Sequence, residues 1–276
     1  MSFLIIGSDG YLASAFKKIL KKKQERFFEE KYENFLNYNI DLNKYDKKIK
    51  TIIHFAITNN LGELTNLNKD IKFAKLLARF CKINKINFIY ISSISAFKNN
   101  NSRYGILKYK IEKEVKKYGA TIIRPGMVWD FSPGSWFKRI EKLVDRLFIF
   151  MPLLGFINNP VYLVYKKDLI EKIFYISKKK IKYPRKSNTF VIASKNTHSL
   201  REIVYFLAKR KSKYFLFFPI PFFLIKLSLK ILVLIKVIDY NFYDSCLSYQ
   251  YNKFHSFKNC TLINTKKKYE SISLKK

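Results

Sequence analysis

Cysteine and histidine are scarce in this chain, and neither residue type is clustered. The 276 residues include three cysteines and three histidines, which are scattered and isolated along the sequence. No Cys-x-x-Cys pair occurs, and no Cys/His spacing is typical of a zinc site. We therefore expect no metal site and no disulfide framework, and a reduced, cytoplasmic setting.

A secretory signal is also missing from the N-terminus. The chain begins Met-Ser-Phe-Leu-Ile-Ile-Gly, without a basic segment followed by a long apolar one. The short apolar run at 2–6 instead predicts a first buried strand.

Acidic residues are few, at 20 against 54 lysines and arginines, which gives a net charge of +34. Such an excess is typical of proteins that bind nucleic acid or anionic lipid. Compositional bias is the alternative, because the lysines are spread along the whole chain and form no dedicated patch. We favour bias, place attraction to a membrane surface second, and expect no nucleic-acid partner.

Apolar residues make up 48% of the chain, which is enough for a hydrophobic core. In the first half, apolar runs and helical periodicity alternate. Strands are predicted at 2–6, 51–56, 86–92 and 120–124, helices at 11–22, 68–83 and 103–117, and further strands near 26–29 and 34–38. This alternation predicts an α/β fold with a parallel sheet covered on both faces.

The second half contains most of the prolines and is less regular. Helices are predicted at 135–148, 167–178 and 199–210, and strands at 161–165 and 189–193. The most apolar stretch is 215–238, which contains two prolines and three lysines. A spanning helix needs about 20 apolar residues, so we disfavour it. A helix lying on anionic lipid is the second interpretation, and a core helix of a substrate-binding region is the one we favour.

A glycine turn follows the first predicted strand and opens a helix. Its sequence is Gly7-Ser8-Asp9-Gly10-Tyr11-Leu12-Ala13. Gly7 permits a tight turn, Gly10 lets the backbone approach a pyrophosphate, and Ala13 allows the helix to pack closely on the strand. The spacing differs from Gly-x-Gly-x-x-Gly, but its position between a strand and a helix favours dinucleotide binding.

Tyr104 and Lys108 are four residues apart on a predicted helix and therefore share one face. An ammonium beside a phenol lowers the pKa of the phenol, so the pair could act as a general base. A hydroxyl from Ser92 or Ser93, at the end of the preceding strand, could polarise a substrate oxygen.

In this order, the segments resemble the NAD-dependent epimerase/dehydratase branch of the extended short-chain dehydrogenase/reductase family, which acts on nucleotide sugars. The resemblance rests on the 7–13 turn, the Asp41-Leu42 pair, the strand end at 53–56, Asn68, the strand 89–97, Tyr104 with Lys108, and Ile123-Arg124-Pro125-Gly126. Counting back from Phe97, which stands where the family has a tyrosine, Ser93 occupies the catalytic serine or threonine position.

The resemblance implies a Rossmann-type doubly wound parallel sheet with a smaller C-terminal α/β substrate domain. The cofactor domain would span 1–125, with part of 160–195 returning to it, and the substrate-binding region would span 126–276, including an apolar helical segment at 215–238. The implied catalytic residues are Ser93, Tyr104 and Lys108. NAD or NADP would be held by Gly7, Ser8, Asp9, Gly10, Tyr11, Leu12, Asp41, Leu42, Phe55, Ala56, Asn68, Ser92, Tyr104, Lys108 and Pro125.

The implied reaction is hydride transfer on a nucleotide sugar, with Tyr104 taking a proton from a sugar hydroxyl. Ile94 and Ser95 stand where dehydratases of the family have an acidic pair, so epimerisation or reduction is favoured over dehydration. The resemblance also implies a homodimer and a role in surface polysaccharide synthesis, with 215–238 as a candidate for peripheral membrane contact. The alternatives are a cofactor-binding protein without turnover and a basic protein of the same fold that associates with a membrane surface.

The choice between NAD and NADP stays open at this point. Glu29 or Glu30 would favour NAD by binding the ribose hydroxyls, whereas Arg26 and nearby lysines could accept the phosphate of NADP.

Overall fold

The structure is a computed structural model that describes residues 2–31, 49–55, 61, 63–133, 135–146, 150–154, 160–179, 186–211, 216–220, 222–236, 240–248 and 260–264. Its largest sheet has seven strands, which are β1 (Ser2–Ile6), β2 (Arg26–Glu30), β3 (Ile49–His54), β4 (Asn87–Ile91), β5 (Thr121–Pro125), β9 (Asn188–Ala193) and β12 (Thr261–Asn264). Their spatial order is β12-β9-β5-β4-β3-β1-β2, and every pairing is parallel.

Helices cover both faces of this sheet. Helices α1 (Tyr11–Lys22) and α5 (Lys166–Lys178) pack on one face, and α2 (Leu64–Ile83) and α3 (Arg103–Lys116) pack on the other. Successive strand side chains point to opposite faces, so both faces need apolar residues. This double burial explains why the central strands β1, β4 and β5 are mostly apolar rather than alternating.

A second unit is built on three strands, β6 (Met127–Trp129), β8 (Val161–Tyr165) and β10 (Thr197–His198), with helices α4 (Trp136–Arg146) and α6 (Leu200–Lys209). Gly126 joins this sheet to the large one. Its N–H donates to the Ile192 carbonyl at 2.9 Å, and a Cβ at this position would lie 2.3 Å from the Tyr162 carbonyl oxygen. Only glycine therefore fits where the two sheets meet.

The remaining elements are the two-stranded sheet of β7 (Phe150–Leu154) and β11 (Leu216–Ile220), followed by helices α7 (Phe222–Leu234) and α8 (Tyr240–Ser248). Helix α8 packs against both α7 and α3. The C-terminal part of the chain thereby reaches the helix that carries Tyr104 and Lys108.

Most of the elements predicted from periodicity are confirmed, with end points that differ by a few residues. Helix α2 begins at Leu64, four residues before the predicted start at 68. The strand predicted near 34–38 lies outside the described residues. The expectation of one core helix over 215–238 was wrong, because Leu216–Ile220 form a strand and α7 leaves large apolar side chains exposed.

Candidate active site

The glycine turn lies where the strand order of the large sheet reverses. β1 has β2 on one side and β3 on the other, and a crevice forms at the carboxyl ends of strands at such a switch point. Gly7 has a φ of 76°, a left-handed conformation that glycine adopts without strain. The N–H groups of Gly7 and Ser8 donate to the Glu30 carbonyl at 2.9 and 3.1 Å. These contacts fix the turn against the end of β2.

Helix α1 starts directly after this turn. Its N-cap residue is Gly10, no side chain caps it, and its first turn contains no acidic residue. Backbone N–H groups and the positive end of the helix dipole therefore point toward the crevice, which is the arrangement that binds phosphate. Asp9 and Gly10 are exposed at this point, and Ser8 is buried. These residues fit the pyrophosphate of a dinucleotide.

Tyr11 connects the turn to the second unit. Its hydroxyl donates to Asp130, which also forms an ion pair with Lys166 at the start of α5. The Lys166 Nζ lies 4.5 Å from the centroid of the Tyr11 ring. Burial, followed by the hydrogen bond to Asp130, raises the pKa of Tyr11 well above its usual value. Tyr11 is therefore a neutral hydrogen-bond donor that ties the turn to the loop after β6.

The structure brings Ser93, Tyr104 and Lys108 together at the carboxyl end of β4. Ser93 lies close enough to the Tyr104 phenol to lower its pKa, and the Ser93 hydroxyl accepts a hydrogen bond from the Ser95 N–H at 3.1 Å. Lys108 lies one turn further along α3, with its Nζ 5.8 Å from the centroid of the Tyr104 ring. The Nζ donates to the Ile91 carbonyl at 2.8 Å.

The expected low pKa of Tyr104 was wrong for the chain without a bound ligand. Burial raises the pKa of Tyr104 to about 12, and the neighbouring Ser93 opposes this only in part. Burial also lowers the pKa of Lys108 to about 8, against the pull of Asp70 and Glu112. Both shifts have one cause, since a site with little water disfavours the charged form of each group.

Asp70 was not identified from the sequence, which pointed to Asn68 on the same helix. Asn68 is exposed, whereas Asp70 is 5% exposed and its charge favours the protonated form of Lys108. The sequence placed the start of α2 at residue 68. It therefore did not show which side chains of the first helical turns point into the protein. With the helix starting at Leu64, the inward face of these turns includes Asp70.

The loop between Ser93 and Tyr104 is held by buried polar contacts. The Asn100 amide donates to the Ser95 carbonyl at 2.7 Å, and its oxygen accepts from the Ser102 N–H at 2.8 Å. The Ser102 hydroxyl caps α3 by accepting from the Gly105 N–H at 2.9 Å. A Cβ on Gly105 would lie 2.5 Å from the Asn100 side chain. The short loop therefore fixes the start of α3.

Asp244 on α8 completes the same helix end. It is 1% exposed, and its two carboxylate oxygens accept from the N–H groups of Arg103 at 2.7 Å and Tyr104 at 2.9 Å. Burial raises the pKa of Asp244, and the two backbone N–H groups oppose that shift. No local signal predicts this contact, because about 140 residues separate the partners.

Ser92 points into the protein interior. Its hydroxyl donates to Glu112 at 2.6 Å. Glu112 in turn forms a bidentate ion pair with Arg124, with distances of 2.6 and 2.7 Å. Glu112 is 1% exposed, and this network joins β4, α3 and β5 beneath the site. We therefore assign the Ser92 side chain to the support of the site.

The other predicted cofactor residues lie around the crevice or outside the described chain. Leu12 is partly buried against the α1 face of the sheet, and the Phe55 N–H donates to the Ile6 carbonyl at 2.9 Å. The Pro125 carbonyl accepts from the Ile94 N–H at 3.0 Å. Asp41, Leu42 and Ala56 lie outside the described residues.

No group of histidine, cysteine, aspartate or glutamate residues within the described part of the chain is arranged to hold a metal ion. Among the helices that the structure describes, none has the length and apolar character needed to cross a membrane.

No protein-family model and no curated protein matches the sequence. Solved structures do match the fold. The UDP-glucuronic acid 4-epimerase from Bacillus cereus, in complex with NAD, is 20% identical, with a TM-score of 0.61 over 79% of this chain and 87% of that one. The dTDP-4-dehydrorhamnose reductase from Clostridium acetobutylicum is 18% identical, with a TM-score of 0.65 over 80% and 84%.

A third similar structure is the UDP-N-acetylglucosamine 4-epimerase from Bacillus cereus, which is 17% identical, with a TM-score of 0.61 over 79% of this chain and 84% of that one. The fold class and the resemblance stated from the sequence are confirmed at the level of architecture. The chain shares the Rossmann-type fold of these two epimerases and of this reductase.

Proposed function

We propose that this protein is an NAD(P)-dependent enzyme that epimerises or reduces a nucleotide sugar by hydride transfer. The observation that carries the proposal is the grouping of Ser93 and Tyr104, with Lys108 one turn away, at the same carboxyl edge of the sheet as the uncapped start of α1. Proteins of the same fold bind UDP-glucuronic acid and NAD. The chain spans more than four fifths of the length of the similar structures.

In this proposal Tyr104 exchanges a proton with the substrate oxygen at its own phenolic oxygen. As a phenolate it takes the proton of a sugar hydroxyl when the sugar is oxidised, and as a phenol it donates a proton to the carbonyl oxygen when the sugar is reduced. Ser93 holds the same substrate oxygen in place, and Lys108 stabilises the phenolate form from one helical turn away. The nicotinamide cofactor, when bound, would supply the hydride acceptor or donor. Burial raises the pKa of Tyr104 to about 12, so the phenol is its predominant form at neutral pH.

Dehydration fits the site less well than epimerisation or reduction. Removal of water needs an additional acid and base beside the serine, and the two residues after Ser93 are Ile94 and Ser95, both buried. Neither can donate or accept the proton of a leaving hydroxyl at neutral pH.

We propose NAD as the preferred cofactor. β2 runs parallel to β1, so Glu30 lies at the end of β2 next to the glycine turn and Arg26 lies at the opposite end. Glu30 also stands 20 residues after Gly10, the interval at which a carboxylate binds the ribose hydroxyls in dinucleotide-binding folds. Glu29 is engaged with Lys17 at 2.5 Å.

The setting of the reaction is part of the same proposal. Nucleotide sugars and nicotinamide cofactors are intracellular metabolites, so we propose that the protein acts in the cytoplasm. The division into a cofactor domain and a substrate-binding region after residue 126, a homodimer, and a role in surface polysaccharide synthesis are proposals that rest on the family resemblance.

The test is a screen of nucleotide sugars with NAD or NADP, following cofactor absorbance for reduction and product chromatography for epimerisation. Removal of one catalytic proton-transfer group costs about 100- to 10,000-fold in rate, so Tyr104→Phe is expected to lose that much. Tyr109→Phe changes a tyrosine five residues further along α3 and is the matched control. Its turnover rate should equal that of the wild type. Equal rates for the two variants would contradict the role of Tyr104.

The second candidate is a protein that binds the cofactor without turnover. The high pKa of Tyr104 is the observation that favours it, since a phenol that stays protonated cannot accept a proton. Thermal stabilisation by NAD with no product from any nucleotide sugar would support this candidate. If neither NAD nor NADP raises the melting temperature, both candidate functions are excluded.

A further inference from the structure

Helix α7 presents an apolar face to solvent. Its positions follow one another at about 100° around the axis, so residues three and four apart share a face. The exposed large side chains fall within an arc of roughly 120°. They are Phe223, Leu224, Leu227, Ile231 and Leu234, with Ile235 just after the helix end. Phe223 is 68% exposed and Leu234 is 79% exposed, which is far beyond the exposure of core residues.

The opposite side of α7 faces the protein. Leu229, Leu232 and Val233 are partly buried there, and α7 contacts α8. The helix is therefore held by one apolar side while a second apolar side faces outward. A contiguous exposed patch of this kind marks an interaction surface.

The charges next to this apolar face favour an anionic partner. Lys226 and Lys230 are exposed one turn apart, along one edge of the apolar arc, and Lys236 follows the helix. The segment 216–236 contains no aspartate or glutamate. An apolar face flanked by lysines on a protein of net charge +34 is complementary to an anionic surface.

A second copy of the chain would fit this face less well. Two copies that met through α7 would bring the same lysines and the same positive charge together, which opposes association. A lipid surface has no such conflict, because its headgroups are anionic and its acyl region accepts the apolar side chains. With 13 residues, α7 is about 20 Å long, shorter than the roughly 30 Å core of a bilayer.

We propose that α7 docks the protein on an anionic bilayer, lying in the plane of the interface. Phe223, Leu227 and Ile231 enter the boundary between headgroups and acyl chains. Lys226 and Lys230 remain at the headgroups, where their long side chains reach the phosphates. This surface is independent of the proposed hydride-transfer site, since none of its residues contributes to that site.

The test is flotation of the full chain with vesicles of phosphatidylcholine alone or with about one third phosphatidylglycerol. We expect binding only to the anionic vesicles, and weaker binding as salt is raised, because lysine contacts near an anionic surface are screened. Each such lysine contributes about five-fold to partitioning, so Lys226→Ala with Lys230→Ala should weaken binding by roughly 30-fold.

Variants of the apolar face test whether the apolar side chains of α7 enter the bilayer. Leu227→Ser with Ile231→Ser should abolish flotation, whereas Ile83→Ser, at an exposed apolar position of α2, should not. Lys82→Ala with Lys85→Ala removes the same charge from an exposed site elsewhere and should change binding by less than about two-fold. Unchanged melting temperatures would show that all these variants fold.

Two results would overturn the proposal. Flotation that is equally strong in the α7 variants and their controls would place the membrane contact elsewhere or assign it to net charge alone. Absence of flotation, together with a dimer in sedimentation that dissociates in Leu227→Ser with Ile231→Ser, would make a second copy the partner of α7.

Discussion

The burial of His54 predicts that the protein loses stability in mild acid. His54 ends β3, is 3% exposed, and packs among the rings of Phe73, Phe88 and Tyr90 at 5.6 to 6.5 Å. Its Nδ1 has no hydrogen-bond partner within the described structure. Burial, followed by the positive charge of Lys108, lowers the pKa of His54 from 6.5 to about 3.

The direction of the effect follows from proton binding. Between pH 6.5 and 3 the unfolded chain holds a proton on this imidazole and the folded chain does not, so acid favours the unfolded chain. At 1.36 kcal/mol per pH unit, the loss between pH 8 and pH 5 is about 2 kcal/mol, and it reaches roughly 5 kcal/mol near pH 3. The folded state of a mesophilic domain is stable by only about 5–15 kcal/mol, so the loss is measurable.

The assay is urea unfolding at pH 8, 6.5 and 5 for the wild type and for His54→Phe, which keeps an aromatic ring and removes the titration. The free energy of unfolding of the wild type should fall by about 2 kcal/mol more than that of the variant over this range. Phe73→Leu, a change in the same aromatic cluster, should lower stability equally at each pH. Parallel loss in the wild type and His54→Phe would refute the burial of a neutral imidazole.

Three further variants test the support of the site, each by the urea unfolding free energy. Asp244→Asn keeps one accepting oxygen and leaves one buried N–H unpaired, so it should cost roughly 1–3 kcal/mol; a neutral result would contradict the capping role. Gly105→Ala should cost about 1–3 kcal/mol, because its Cβ would lie 2.5 Å from the Asn100 side chain. Arg124→Met leaves Glu112 charged and buried, which should cost about 3–5 kcal/mol, and adding Glu112→Met should recover most of it. If the stability losses of Arg124→Met and Glu112→Met simply add in the double variant, the two side chains do not form a coupled ion pair.

Local patterns in the sequence predicted the layers of the fold because the central strands β1, β4 and β5 are buried on both faces. Such strands are short apolar runs, and the helices between them have a clear apolar side. The segment 215–238 was misassigned for the same reason, since an apolar run does not reveal whether it packs inward. Pro219 and Pro221 interrupt this run, and a strand ends between them at Ile220.

The site was predictable to the extent that its residues are close in sequence. Tyr104 and Lys108 share one helix face, so spacing sufficed to group them, whereas the choice of Ser93 over Ser92 came from the family resemblance. The contacts of Asp70 and Asp244 with this group depend on how α2 and α8 pack, which spacing does not specify. The pKa of Tyr104 was predicted in the wrong direction, because a sequence pattern shows a neighbouring charge but not the burial that outweighs it.

The contact of Asp244 with α3 also sets an order of events during synthesis. Arg103 and Tyr104 leave the ribosome about 140 residues before their capping carboxylate does. At a synthesis rate of roughly 5–20 residues per second, about 7–28 s pass between the synthesis of the start of α3 and that of Asp244. Until then, two N–H groups at the start of α3 depend on water or on a chaperone for partners. A chain terminated before residue 244 would therefore contain Ser93, Tyr104 and Lys108 with the start of α3 held by the preceding loop alone, so the C-terminal third of the chain completes the support of residues in the middle third.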